Sequence, residues 1–130
     1  ATKEFFTLAA EDLTKDGVLV FNVIGTYDNW RADVVGSIYQ TLKAVFPHVY
    51  HFSATDTRNI VMLGLKSKEP LTSTSLKEKV EVLRQARPNL PRYFGRRVGR
   101  IRVTPPPGSA RAGVLTDDFA PPGGLLKSKR

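Results

Sequence analysis

A chain of 130 residues, 41% hydrophobic and 25% charged, has the length and composition of one ordinary globular domain, so a buried core is expected and a fibrous or disordered chain is not. The absence of cysteine excludes a disulfide scaffold, a thiolate metal site and a cysteine nucleophile, and suits a reducing, cytoplasmic setting. The net charge of +8 is local: Arg84, Arg87, Arg92, Arg96, Arg97, Arg100, Arg102 and Arg111 follow one another without an acid between them, while acids and bases balance elsewhere.

The first predicted element is a helix over residues 3–13, capped by Thr2, with Phe5, Leu8, Ala9 and Leu13 as its apolar face. The chain enters this pattern at Ala1, without an initiator methionine, which suggests processing or a piece of a longer protein. A turn at Lys15, Asp16 and Gly17 leads into an apolar, β-branched run at 18–24, expected to be a strand of a parallel sheet buried on both faces. A polar loop follows, and Asp28 or Asn29 can cap a helix over 30–46 that Pro47 ends. Strands at 49–53 and 59–66, joined by a turn at 55–58, are too close for a parallel crossover and predict an antiparallel hairpin.

A Ser75/Glu78 capping box predicts a short peripheral helix over 76–86. Prolines and glycines interrupt every period from 87 to 113, which reads as a loose loop, and 114–130 reads as a motif followed by a flexible tail. The longest apolar runs, 18–24 and 60–65, fall far short of the ~20 residues of a membrane helix, so a soluble chain is expected. No glycine-rich loop follows a first strand, and no Walker loop, HExxH motif or Ser/His/Asp spacing is present. Three strands are also few for a doubly wound α/β sheet, whose ligand lies at the carboxyl ends of the strands.

Two motifs carry a resemblance. Thr2-Lys3-Glu4-Phe5-Phe6, followed by Asp16-Gly17 and the strand from Val18, resembles the T-x-E-F-[FY] helix and fifth strand of the spermidine synthase-like aminopropyltransferases. Leu115-Thr116-Asp117-Asp118-Phe119-Ala120-Pro121 resembles the LTDD-[FY]-A-P motif near the end of many bacterial members. The resemblance implies the C-terminal half of a Rossmann-like fold of the class I S-adenosylmethionine-dependent methyltransferases, with residues 1–70 as the α/β part. It implies a parent that transfers an aminopropyl group from decarboxylated S-adenosylmethionine to an amine in polyamine biosynthesis. The glycine loop, the acidic cofactor residue and the catalytic aspartate of the family would lie upstream of Ala1. The chain by itself is therefore expected to bind no adenosyl cofactor and to be inactive. Methyl transfer from S-adenosylmethionine is the alternative activity.

The same resemblance points to residues that line an amine pocket. Asn22, Tyr27, Asp28 and Trp30 follow the carboxyl end of the first strand, although Asp28 also suits a helix cap and Trp30 the packing of a first turn. The turn with Asp56 stands where synthases carry a substrate-binding tyrosine; that tyrosine is absent here, which leaves the acceptor open. Asp117 and Asp118 suit either a substrate cation or a cap and arginine clamp.

His48 and His51 point to opposite faces of a strand, lack a third ligand and read as surface residues, so no metal is expected. The arginine stretch, with Tyr93 and Phe94, has the chemistry to follow a phosphate backbone, but no nucleic-acid module frames it. A solvated loop is the preferred reading, nucleic acid is disfavoured, and membrane contact is expected only if the parent is fused to transmembrane segments. A homodimer is left open.

Overall fold

A computed structural model describes residues 1–28, 31–54, 58–91 and 98–117. Its order is α1 (Lys3–Glu11), β1 (Val18–Ile24), α2 (Arg31–Lys43), β2 (His48–Ser53), β3 (Asn59–Leu65), α3 (Ser73–Ala86) and a 3-10 turn at Ser109–Arg111. Among the described residues the architecture is mixed α/β, with three helices and a three-stranded sheet in the order β1-β3-β2. Both strand pairs are antiparallel, with Val18 opposite Leu65 and Ile24 opposite Asn59 on one side, and His48 opposite Leu65 on the other. The predicted hairpin is therefore present, and β1 and β2 run in the same direction on either side of the reversed β3.

The sheet has two unlike faces. Leu19, Phe21, Val23, Val49, Ile60 and Met62 pack with Phe6 of α1 and with Val35, Ile38, Tyr39 and Leu42 of α2 to form the core. On the other face, Val18, Val20 and Ile24 of β1 stay exposed, the last at 73%. The expectation of a parallel strand buried on both faces is corrected here. β1 is an edge strand with an antiparallel neighbour, and its burial alternates along its length. A largely apolar run records how both faces of a strand are composed, but not whether a layer covers each.

α1 starts where Thr2 accepts a bond from the Phe5 amide. It ends where Lys66 Nζ, at the end of β3, donates to the carbonyls of Ala10 and Leu13. Its buried face is Phe6 with Ala10 and Leu13, whereas Phe5 and Leu8 of the predicted face are exposed at 53% and 65%. Both sets satisfy helical periodicity, and the edge-to-face contact of Phe6 with Phe21, with centroids 5.2 Å apart, marks the set that faces the sheet. α3 begins three residues earlier than predicted, because Thr72 and Ser75 exchange the reciprocal bonds of the capping box in place of Ser75 and Glu78.

The stretch read as a loose loop is in part a second layer. Residues 106–115 run over the outer side of α2, where Gln40 Nε2 donates to Ser109 O and the Leu115 amide donates to Thr41 Oγ1. Leu115 joins the core at 5% exposure. Gly36 and Gly108 allow the contact, since a Cβ on Gly36 would lie 2.7 Å from the Gly108 carbonyl. Prolines and glycines removed the helical period without removing the packing. Among the described residues no helix is long and apolar enough to cross a membrane.

Candidate functional site

β1 and β2 end on the same side of the sheet, and the loop after β1 brings Tyr27 back over the core face. There its hydroxyl meets His51 Nδ1 at 2.8 Å. The other ring nitrogen, Nε2, lies 2.7 Å from the carbonyl oxygen of Thr104. A carbonyl only accepts, so Nε2 carries the proton, Nδ1 is the acceptor and Tyr27 donates. Tyr39 of α2 meets the His51 ring edge-on at 6.0 Å, and the Arg102 guanidinium stands 4.3 Å over the Tyr27 ring. The backbone closes the same site: His51 and Arg102 exchange two hydrogen bonds, of 3.2 and 2.8 Å, as an isolated antiparallel bridge on the outer edge of β2.

Burial sets the protonation states. His51 is fully buried, and loss of water holds its imidazole below the usual histidine range; the Thr104 carbonyl opposes this and the Arg102 charge reinforces it. Burial also pushes the Tyr27 hydroxyl up, against the Arg102 charge, and raises Tyr39, with Tyr50 adding to the effect. At neutral pH the cluster holds a neutral histidine, two neutral phenols and one guanidinium.

The expectation that His51 is a surface residue is corrected by its complete burial. His48 and His51 do occupy opposite faces, with His48 Nε2 against Lys68 O and its ring stacked on Tyr50. Alternation already placed His51 on the face of Val49, so the signal was present in the sequence; the general preference of histidine for surfaces outweighed it.

The predicted amine-pocket residues do not form one group. Asn22 lies on the open face of β1, its Nδ2 3.5 Å from Asn59 Oδ1 across the strand pair. Tyr27 faces His51 on the covered side. Asp28 is exposed, and its backbone carbonyl accepts a bond from Thr26 Oγ1. Trp30, Asp56 and Asp118 lie outside the described residues, as do Tyr93, Phe94 and residues 119–121 of the second motif.

Asp117 has a different place. Its Oδ1 accepts a bond of 2.6 Å from Thr2 Oγ1, its amide donates to Glu4 Oε1 at 2.9 Å, and the Lys3 amide donates to Leu115 O at 2.7 Å. The two motifs are thus one clasp around the start of α1, with Asp117 also favoured by the positive end of the helix. Asp117→Ala is expected to lower stability by about 1 kcal/mol, the size of a lost helix-cap interaction, as read by urea unfolding. The same loss in a Thr2→Ala background would show that the two residues act independently and would remove the clasp.

Several arginines are also engaged. Arg102 stacks on Tyr27, Arg111 pairs with Asp33 at 2.9 Å, and Arg84 pairs with Glu81 at 3.4 Å. Both ion pairs are solvent-exposed and worth little in stability. A cavity of about 530 Å³ lies between α3 and residues 98–101, lined by Leu76, Val80 and Ile101 together with the charged Lys77, Glu81 and Arg84. No group of three metal-ligating side chains occurs among the described residues. Compared with family models, curated proteins and solved structures, the chain finds no match.

Proposed function

We propose that this chain is the C-terminal part of a spermidine synthase-like aminopropyltransferase of methyltransferase fold, which works only with the upstream half of its sheet. The observation that carries the reading is the clasp. Thr2 and Glu4 of the first motif bond directly to Asp117 of the second, although 115 residues separate Thr2 from Asp117. Two stretches that resemble one family at distant points of the chain thus have a shared physical reason to occur together.

The sheet supports the same reading. A strand that runs opposite to the two strands flanking it suits the closing edge of a Rossmann-like sheet, the finer form of the observed mixed architecture. α1 and α2 lie on one face, and α2 connects β1 to the parallel β2 beyond β3. Connections between parallel strands keep one hand. A strand leading into α1 would therefore fall on the side of β1 away from β2, which is its open edge. That edge is apolar apart from Asn22, free of charge and proline, and next to the exposed Val18, Val20 and Ile24.

The reaction class is displacement by an uncharged amine at the carbon beside a sulfonium, with methylthioadenosine as the leaving group. Among the described residues no glycine-rich loop follows a strand, so binding of the adenosyl donor is assigned to the upstream half. Asp117, bonded to Thr2 and Glu4, is given a structural role, while Tyr27 and Asp28 stand nearest the carboxyl end of β1, where such sheets take ligands.

The test uses the natural protein in its full extent, incubated with decarboxylated S-adenosylmethionine and a panel of amines. Methylthioadenosine and an aminopropylated amine are expected in equal amounts. S-adenosylhomocysteine formed from S-adenosylmethionine would move the protein to the methyltransferases. A natural protein that begins near Ala1 and forms neither product would overturn both activities.

A further inference from the structure

Tyr50 and His51 are consecutive residues of β2, alternate between its two faces, and each hold a different part of the chain. The Tyr50 hydroxyl accepts a bond of 2.7 Å from the Leu71 amide, just before the capped start of α3. His51 holds Arg102 through the paired backbone bonds on the outer edge of β2. The Ile101 amide donates to Val98 O at 3.1 Å, which folds the stretch before Arg102 into a turn. These anchors set α3 and residues 98–101 on either side of the cavity of about 530 Å³, a size within the range of small-molecule sites. None of the lining residues belongs to the Tyr27 and His51 cluster or to the clasp at α1, so the proposed transfer reaction does not account for the cavity.

The lining has an apolar side and a charged side. Val80 is buried and Leu76 and Ile101 are half-buried, which gives the cavity an apolar floor. Around α3, at 3.6 residues per turn, Leu76 and Val80 are followed by Arg84 and Lys77 and only then by Glu81. Both cations therefore stand closer to the floor than the acid does. Among the described residues no hydrogen bond or ion pair engages Lys77, and Arg84 has the exposed 3.4 Å contact with Glu81, too weak to withhold it from a ligand. The facing wall adds Arg100, and no acid occurs from residue 84 to 111, so the potential over that wall is positive. We infer that the cavity is a binding site for a small amphipathic carboxylate, with its hydrocarbon body against Leu76, Val80 and Ile101 and its head between Lys77 and Arg84. The charged lining residues Lys77, Arg84 and Glu81 together carry one positive charge, which a carboxylate neutralises and a phosphate monoester exceeds.

Each half of the ligand is recognised by a separate effect. A methylene taken up by the floor raises affinity by up to about fourfold. The two exposed cations together add about fivefold, which is modest but fixes the sign of the charge that binds. An ammonium of the same length meets Lys77 and Arg84 as like charges, and an alcohol of the same length keeps the apolar contribution alone.

The test follows the methyl NMR signals of Leu76, Val80 and Ile101 in the natural protein in its full extent, titrated with hexanoate, octanoate and decanoate below their micelle concentrations. Saturable shifts at these three residues are expected with decanoate, with affinity falling by up to about fourfold for each methylene removed. Decylammonium is expected to bind at least about fivefold more weakly than decanoate. Replacing both cations, Lys77→Gln with Arg84→Gln, should weaken decanoate about fivefold and leave decanol unchanged. No saturable shift at the three residues, an affinity that ignores chain length, or decylammonium equal to decanoate would overturn the site. Binding to anionic lipid vesicles without a response to monomeric decanoate would also overturn it and assign the charge to a membrane surface. If the double variant does not fold, the chain-length series and the comparison of decanoate with decylammonium on the unaltered protein decide by themselves.

Discussion

Phe46→Ala is expected to lower stability by about 3–5 kcal/mol, which is a large part of the margin of a domain this size. Phe46 is 2% exposed, and its ring lies directly over Gly64 near the end of β3. A Cβ built on Gly64 would come within 2.7 Å of Phe46 Cδ2, so the ring occupies the space that any other residue at 64 would need. Truncation leaves a cavity under α2 that rigid strand and helix backbones cannot close. Gly64→Ala alone is expected to destabilise by about 1–3 kcal/mol through overpacking. The double variant should then lose less than the two single losses combined, because the new methyl enters the vacated space. Urea unfolding of the four proteins checks this, and strict additivity would show that ring and glycine do not share that volume.

Gly36→Val is the second large effect, expected at about 3 kcal/mol, the upper part of the overpacking range. The position is in the middle of α2, where an ordinary solvent-facing glycine gains stability on replacement by a better helix former. Here a Cβ would stand 2.7 Å from both the carbon and the oxygen of Gly108 and 2.9 Å from the Ser109 amide. The reciprocal constraint is equally tight, since a Cβ on Gly108 would lie 2.6 Å from the Ala32 carbonyl. Backbone meets backbone, so no side-chain rotation relieves the clash. The local readout is the bond from Gln40 Nε2 to Ser109 O, which should be lost before the sheet is disturbed. Thermal unfolding with hydrogen exchange at residues 108–112 separates the outcomes, and a variant more stable than the parent would show that α2 faces water at Gly36.

These two sites mark the division between what the chain declared locally and what it did not. Thr2 as a cap, Pro47 after α2, and the closeness of β2 and β3 each follow from short-range chemistry, and each element appears near its expected place. Gly36, Ser37 and Thr41, small or polar residues of α2, are covered by residues 106–115. Thr41 is fully buried because its hydroxyl donates to Ser37 O and accepts from the Leu115 amide. A polar residue satisfied by a partner 74 positions away cannot be told from a solvated one by periodicity.

The site divides in the same way. The sequence by itself determined the elements, the alternation that places His51 with Val49, and the two motifs at the ends of the described chain. Only the tertiary structure decided that those motifs close on each other through Thr2, Glu4 and Asp117, and that Tyr27, His51 and Arg102 meet at the edge of β2. It also decided that β1 is an edge with one open face, because residue composition is the same whether or not a layer lies over it. The physical reason is common to all three. Helix caps and strand periods are set by neighbours a few residues away, whereas burial and protonation are set by whatever the rest of the chain brings to the same place.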